Sequence, residues 1–160
     1  MVTAIDAVST AAGWFAGWLV VPLTIAVAWE VVARYAFNAP TRWASTATYV
    51  LYGSQFMLAA AYTLRQDGHI RTDVFYGRWS ARTRALVDAV CYVLFFYPGM
   101  LLILYAGAVE AWHAREIGER LGRWPAYPFK AVIPLTALLL LLQGLSQLIK
   151  CGRVLQGRPR

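Results

Sequence analysis

Charge is what this sequence has least of. Only 14% of its 160 residues are Asp, Glu, Lys or Arg, where a soluble domain carries about a quarter. Histidine occurs twice and cysteine twice. His69 and His113 both fall in polar stretches between apolar runs, away from the helix interiors where a membrane haem finds its ligands. Cys91 and Cys151 stand apart, in neither disulfide nor metal-ligand spacing. Gly-rich phosphate loops and nucleophile motifs are missing as well. The chain therefore reads as a non-enzyme, with no cofactor and no metal site.

What fills the sequence instead is apolar. Hydrophobic residues make up 59%, and the mean hydropathy is +0.49. Four stretches contain no Asp, Glu, Lys, Arg or His: Ala7–Trp29, Trp43–Leu64, Ala89–Val109 and Ala131–Ile149. At about 1.5 Å per helical residue, each reaches across a hydrocarbon core of about 30 Å. Lipid leaves backbone groups no partner outside their own segment, so each stretch should be a helix. The expected fold is an all-α membrane protein, one domain over 1–160, with four transmembrane helices over about 7–36, 43–64, 85–110 and 130–150. The first stretch has no basic start and no small-x-small closing site, so it should be retained rather than cleaved as a signal peptide. Pro22 and Pro98 predict kinks in the first and third spans.

The connecting segments carry the polar information. Glu30 and Arg34 are four apart and can pair on one helix face, and Asn38-Ala39-Pro40 should end that helix. Between spans 2 and 3, apolar residues from Val74 to Val87 can share one face, which predicts a short interfacial amphipathic helix over about 72–84. In the third loop, Arg115–Glu119 and Glu116–Arg120 sit at helical pairing distance, and Trp124-Pro125 should be extended. The net charge of +7 is distributed by loop, and is no footprint for nucleic acid. The termini and second loop together hold nine basic residues, the other side six. The positive-inside rule then places both termini in the cytoplasm.

Ion-coupled transporters keep ionisable side chains near the bilayer midplane. Here Glu30, Asp88 and Glu110 all stand at span ends. Ser54, Gln55, Gln143, Ser146 and Gln147 lie within spans and read as helix-to-helix hydrogen-bonding groups. Gly13-x-x-x-Gly17 permits close helix approach. Two polar clusters remain at opposite membrane faces. Arg34, Tyr35, Asn38, Arg42 and Trp43 form an outer one, and His69, Arg71 and Asp73 an inner one.

The string Arg34-Tyr35-Ala36-Phe37-Asn38-Ala39-Pro40-x-x-Trp43, followed one span later by His69-Ile70-Arg71-Thr72-Asp73-Val74-Phe75, resembles the small membrane subunit of TRAP transporters. These are tripartite ATP-independent periplasmic systems, and this is their DctQ-type component. The resemblance is close from about Arg34 to Tyr76 and elsewhere rests on length and layout. It implies a bacterial inner-membrane protein that braces a large permease subunit. That permease performs sodium-coupled uptake of a small solute, often a carboxylate, delivered by a periplasmic solute-binding protein. It also implies that the outer cluster docks a partner, and that the inner cluster is structural or docks one. One departure stands out. The family often has a Glu two or three residues after the Trp, where this chain reads Ala44-Ser45-Thr46-Ala47. The competing functions are a stand-alone small exporter, which would want a midplane carboxylate, and a membrane anchor for a redox complex, which would want histidines within its helices.

Overall fold

The computed structural model describes residues 2–66 and 79–156. The first helical run is α1 (Val2–Trp18) followed by α2 (Val20–Tyr35), 34 residues long and interrupted only at Leu19. The Leu19 N–H is shared between the carbonyls of Phe15 (3.3 Å) and Ala16 (3.2 Å). Pro22 follows within one turn. Its ring crowds the carbonyl four residues back and it offers that carbonyl no N–H, which accounts for the irregularity there. Helix α3 (Arg42–Arg65) comes next.

The third long run holds α4 (Ala81–Cys91), a π-helical turn (Tyr92–Phe96) and α5 (Tyr97–Glu116). Ser80 caps it by accepting the Thr83 N–H at 3.2 Å. The π turn is closed by the Tyr97 N–H donating to the Tyr92 carbonyl, five residues back. Pro98 lies just beyond, and an extra residue in the preceding turn is a common way to accommodate such a break. After α5 come β1 (Arg120–Leu121) and β2 (Trp124–Pro125), paired antiparallel. Helix α6 (Tyr127–Lys130) and the long α7 (Val132–Leu155) follow.

Helices α1 and α2 pack on α3, α3 packs on α7, and α7 packs on α4 and α5, with α1 also reaching α7. The sides of the bundle are sorted by size rather than by polarity. Ala16, Ala44, Ala61, Ala85, Ala114 and Ala137 are buried, while Trp14, Phe56, Phe95, Leu102 and Tyr105 face outward. In water that would be inverted. In lipid it follows, because tails solvate large apolar groups and only small residues let backbones meet. Glycine sets three of the crossings. A Cβ added at Gly13 would stand 2.5 Å from the Tyr62 ring on α3, one at Gly107 would stand 2.8 Å from Ile133 on α7, and one at Gly144 would stand 2.7 Å from the Phe96 ring.

Among the described residues, three helical stretches are long and apolar enough to cross a membrane: Val2–Tyr35, Ala81–Glu116 and Tyr127–Leu155. Helix α3 has 24 residues, but Ser54, Gln55, three threonines and three tyrosines along it lower its hydropathy. It is therefore set apart from the three. The expected interfacial helix lies largely outside the described residues. Its last part, Ala81–Arg84, is the first turn of the third long run rather than a separate element. His113, expected in a loop, is in the last turn of α5.

Candidate functional site

Polar side chains gather at the two ends of the bundle. At one end, Glu30 on α2 organises the connection to α3. Its Oε1 accepts from Arg34 Nη2 at 2.6 Å and from Arg34 Nε at 3.2 Å, as the four-residue spacing predicted. Its Oε2 accepts from the Thr41 N–H at 3.0 Å and also from the Thr41 hydroxyl. One carboxylate thus holds both sides of the loop. Asn38 turns the chain with φ of 48°, in the left-handed region that Asn tolerates better than most residues. The Ala39 N–H then donates back to the Ala33 carbonyl at 2.9 Å.

At the same end the third loop is fastened by Lys130. Its Nζ donates to Glu110 Oε1 at 2.7 Å and to a Glu119 carboxylate oxygen. The helix-spaced pairs Arg115–Glu119 and Glu116–Arg120 do not form, because α5 stops at Glu116 and Gly118 takes φ of 62°. Glu119 is swung towards Lys130, and Glu116 accepts from Trp112 Nε1 at 2.8 Å. Arg115 lies against the Trp112 and Tyr127 rings, 5.4 and 5.8 Å from their centroids. Between the start of α3 and the hairpin opens a pocket of about 490 Å³, lined by Arg42, Trp43, Thr46, Gly122, Arg123 and Trp124.

The opposite end carries a cluster in which Gln143, Ser146 and Gln147 make the helix-to-helix hydrogen bonds expected of them, to partners on α1 and α3 that no local spacing reveals. Asp6 on α1 accepts from Gln143 Nε2 (3.1 Å), Ser146 Oγ (2.8 Å) and Lys150 Nζ (3.0 Å), all on α7. The buried Ser9 hydroxyl donates to Gln143 Oε1 at 2.6 Å. Gln147 Nε2 donates to the Leu64 carbonyl at 3.0 Å, satisfying the last turn of α3. Arg65 donates to the Thr10 hydroxyl. Gln143, Ser146, Gln147 and Lys150 recur at helical spacing through a leucine-rich segment, and that stripe was the available signal.

Of the outer residues, the structure brings Arg42 and Trp43 together in the pocket and gives Arg34 to Glu30. Tyr35 projects outward, 81% exposed. Ala44 and Ala47 are buried where α3 meets its neighbours, and Thr46 turns towards the pocket. The inner trio His69, Arg71 and Asp73 lies outside the described residues. Among the described residues no group of three His, Cys, Asp or Glu is placed to hold a metal ion.

A match to a known family covers most of the chain. Residues 23–153 match the family described as tripartite ATP-independent periplasmic transporters, DctQ component. The chain belongs to the DctQ family. No curated protein and no solved structure matches it. Membership makes it a small permease subunit of a TRAP transporter, a multi-pass membrane protein of a transport family rather than of an enzyme family. Within the DctQ match fall the Glu30-centred loop, the pocket and the α7 polar stripe. Asp6, Ser9 and Thr10 lie before it.

Proposed function

We propose that this DctQ chain acts as a brace. It would hold the stationary part of a large TRAP permease subunit in the membrane while that partner carries out sodium-coupled uptake of a small carboxylate solute. A periplasmic solute-binding protein would deliver the solute, and both termini would lie in the cytoplasm of a bacterial inner membrane. The observation that carries this reading is where the charges are used. Asp6, Glu30, Glu110 and Glu119 are each tied to a basic partner near a helix end, an arrangement that stiffens a frame and, among the described residues, offers no ionisable path through it.

The partner-facing surface would include the third long run, whose apolar window has no buried residue within this chain. Helix α3 would be the fourth crossing, and the irregular turns near Pro22 and Pro98 would be the bends of spans 1 and 3. At the outer end, Tyr35, Arg42 and Trp43 would meet the partner, with Arg34 and Asn38 shaping the loop that presents them. His69, Arg71 and Asp73 would dock or stabilise the inner face.

The test is reconstitution. The chain should co-purify with a large permease encoded beside it, and liposomes should take up solute only when both are present. Uptake by the purified chain alone would overturn the brace, as would failure to associate with that permease.

A further inference from the structure

The pocket between α3 and the hairpin shares Arg42 and Trp43 with the outer docking surface and adds Thr46, Arg123 and Trp124 to them. Arg42 and Arg123 line it together, and among the described residues neither has a carboxylate partner. Three carboxylates at this end are committed elsewhere, Glu30 to Arg34 and both Glu110 and Glu119 to Lys130. Thr46 lies in the wall, its hydroxyl donating to the Arg42 carbonyl at 3.2 Å, and among the described residues no acidic one lines the pocket. Trp43 and Trp124, 46% and 47% exposed, flank the opening. At about 490 Å³ the volume lies inside the usual range of small-ligand sites, roughly 300–1,000 Å³.

Depth decides what kind of anion fits. The pocket sits where α3 begins, at the end where α5 has stopped and α6 has yet to start. That is the level of the helix ends, where tryptophan marks the headgroup region. Two guanidinium groups match the several acceptor oxygens of a phosphate. With no carboxylate in the wall, a headgroup ammonium has nothing to pair with. The geometry points to a binding site for the phosphodiester of an anionic phospholipid, such as a phosphatidylglycerol, held by Arg42 and Arg123 with Trp43 and Trp124 against its glycerol and upper acyl region. The site needs the chain to be in a membrane but does not depend on its bracing a permease.

Native mass spectrometry of the full chain in a non-ionic detergent tests this. The chain is titrated with phosphatidylglycerol, with phosphatidylcholine of the same acyl chains, and with inorganic phosphate. Phosphatidylglycerol should be retained preferentially. Each of Arg42→Gln and Arg123→Gln should weaken its binding about fivefold, and the double variant about twentyfold. Thr46→Glu leaves both arginines in place but gives them a carboxylate, and should weaken binding as much as the double variant. Should the double variant fail to fold, Thr46→Glu still decides the matter. Equal retention of the two lipids, or indifference to all the substitutions, would overturn the site. Saturation by inorganic phosphate with no lipid preference would make it a free-phosphate site and overturn the lipid assignment. Unchanged lipid binding with lost capture of the solute-binding protein would make it a protein-docking surface and overturn it equally.

Discussion

At the scale of single residues, Gly13 and Gly17 look alike in sequence and differ in space. A methyl group at Gly13 would press into the Tyr62 ring, whereas one at Gly17 would meet nothing within 4 Å. Gly13→Ala should therefore destabilise the α1–α3 contact by about 1–3 kcal/mol, the usual cost of overpacking. Gly17→Ala should be neutral or slightly stabilising, since alanine favours helix by up to about 1 kcal/mol. Thermal unfolding of the two variants in detergent compares them directly, and equal melting temperatures would remove Gly13 from the packing account. The motif was visible in the sequence, but which glycine does the packing was not. That depends on where Tyr62, on another helix, comes to rest. Arg34 gives a second contrast. Its bond to Glu30 leaves the side chain half exposed, so Arg34→Ala should loosen the loop that presents Tyr35 and lower uptake several-fold while membrane insertion proceeds. Unchanged uptake would remove Arg34 from the docking surface.

At the scale of elements, α7 is the member that holds the others in register. Its outward side is leucine and its inward side is Gln143, Ser146 and Gln147. Apolar faces do not drive helices together in lipid, so hydrogen bonds and close packing must do so. Gln143 is fully buried and bonds both Ser9 and Asp6 on α1. Gln143→Leu keeps the volume, strands the buried Ser9 hydroxyl and takes one of three donors from Asp6, which should cost about 1–3 kcal/mol. The loss should appear as a lower melting temperature with the helix content unchanged. A melting temperature equal to the parent's would mean that the α1–α7 contact is carried by packing alone. The role of these amides was legible, because amides at helical spacing in an apolar run have few other uses. Their partner was not. Asp6 and Lys150 are separated by 144 positions, and no local spacing relates them. The third loop was misread for the opposite reason. Local spacing suggested Arg115–Glu119, but Gly118 ends the helix first and Glu119 goes to Lys130.

At the scale of the whole molecule, the ends of α3 bear on how many times the chain crosses. Hydropathy sets α3 apart from the three strongly apolar runs. Its ends argue otherwise. At its start, Thr41 is bonded to Glu30, near the end of the first run. At its finish, Leu64 accepts from Gln147 near the end of α7, and Arg65 donates to Thr10 near the beginning of α1. Helix α3 therefore covers the distance between levels set by two helices that are apolar enough to span. Its hydroxyl and amide groups lower hydropathy without preventing a crossing, because neighbouring helices shield them. If α3 crosses, the chain has four spans and both termini share one side. With three, the termini would lie on opposite sides. Reporter fusions at the N-terminus and at the C-terminus should therefore report the same compartment, and a tag placed in the 36–41 connection should report the other. Opposite readings at the two termini would leave α3 out of the membrane. They would also undo the charge argument for cytoplasmic termini, because the nine basic residues of that side would no longer lie together.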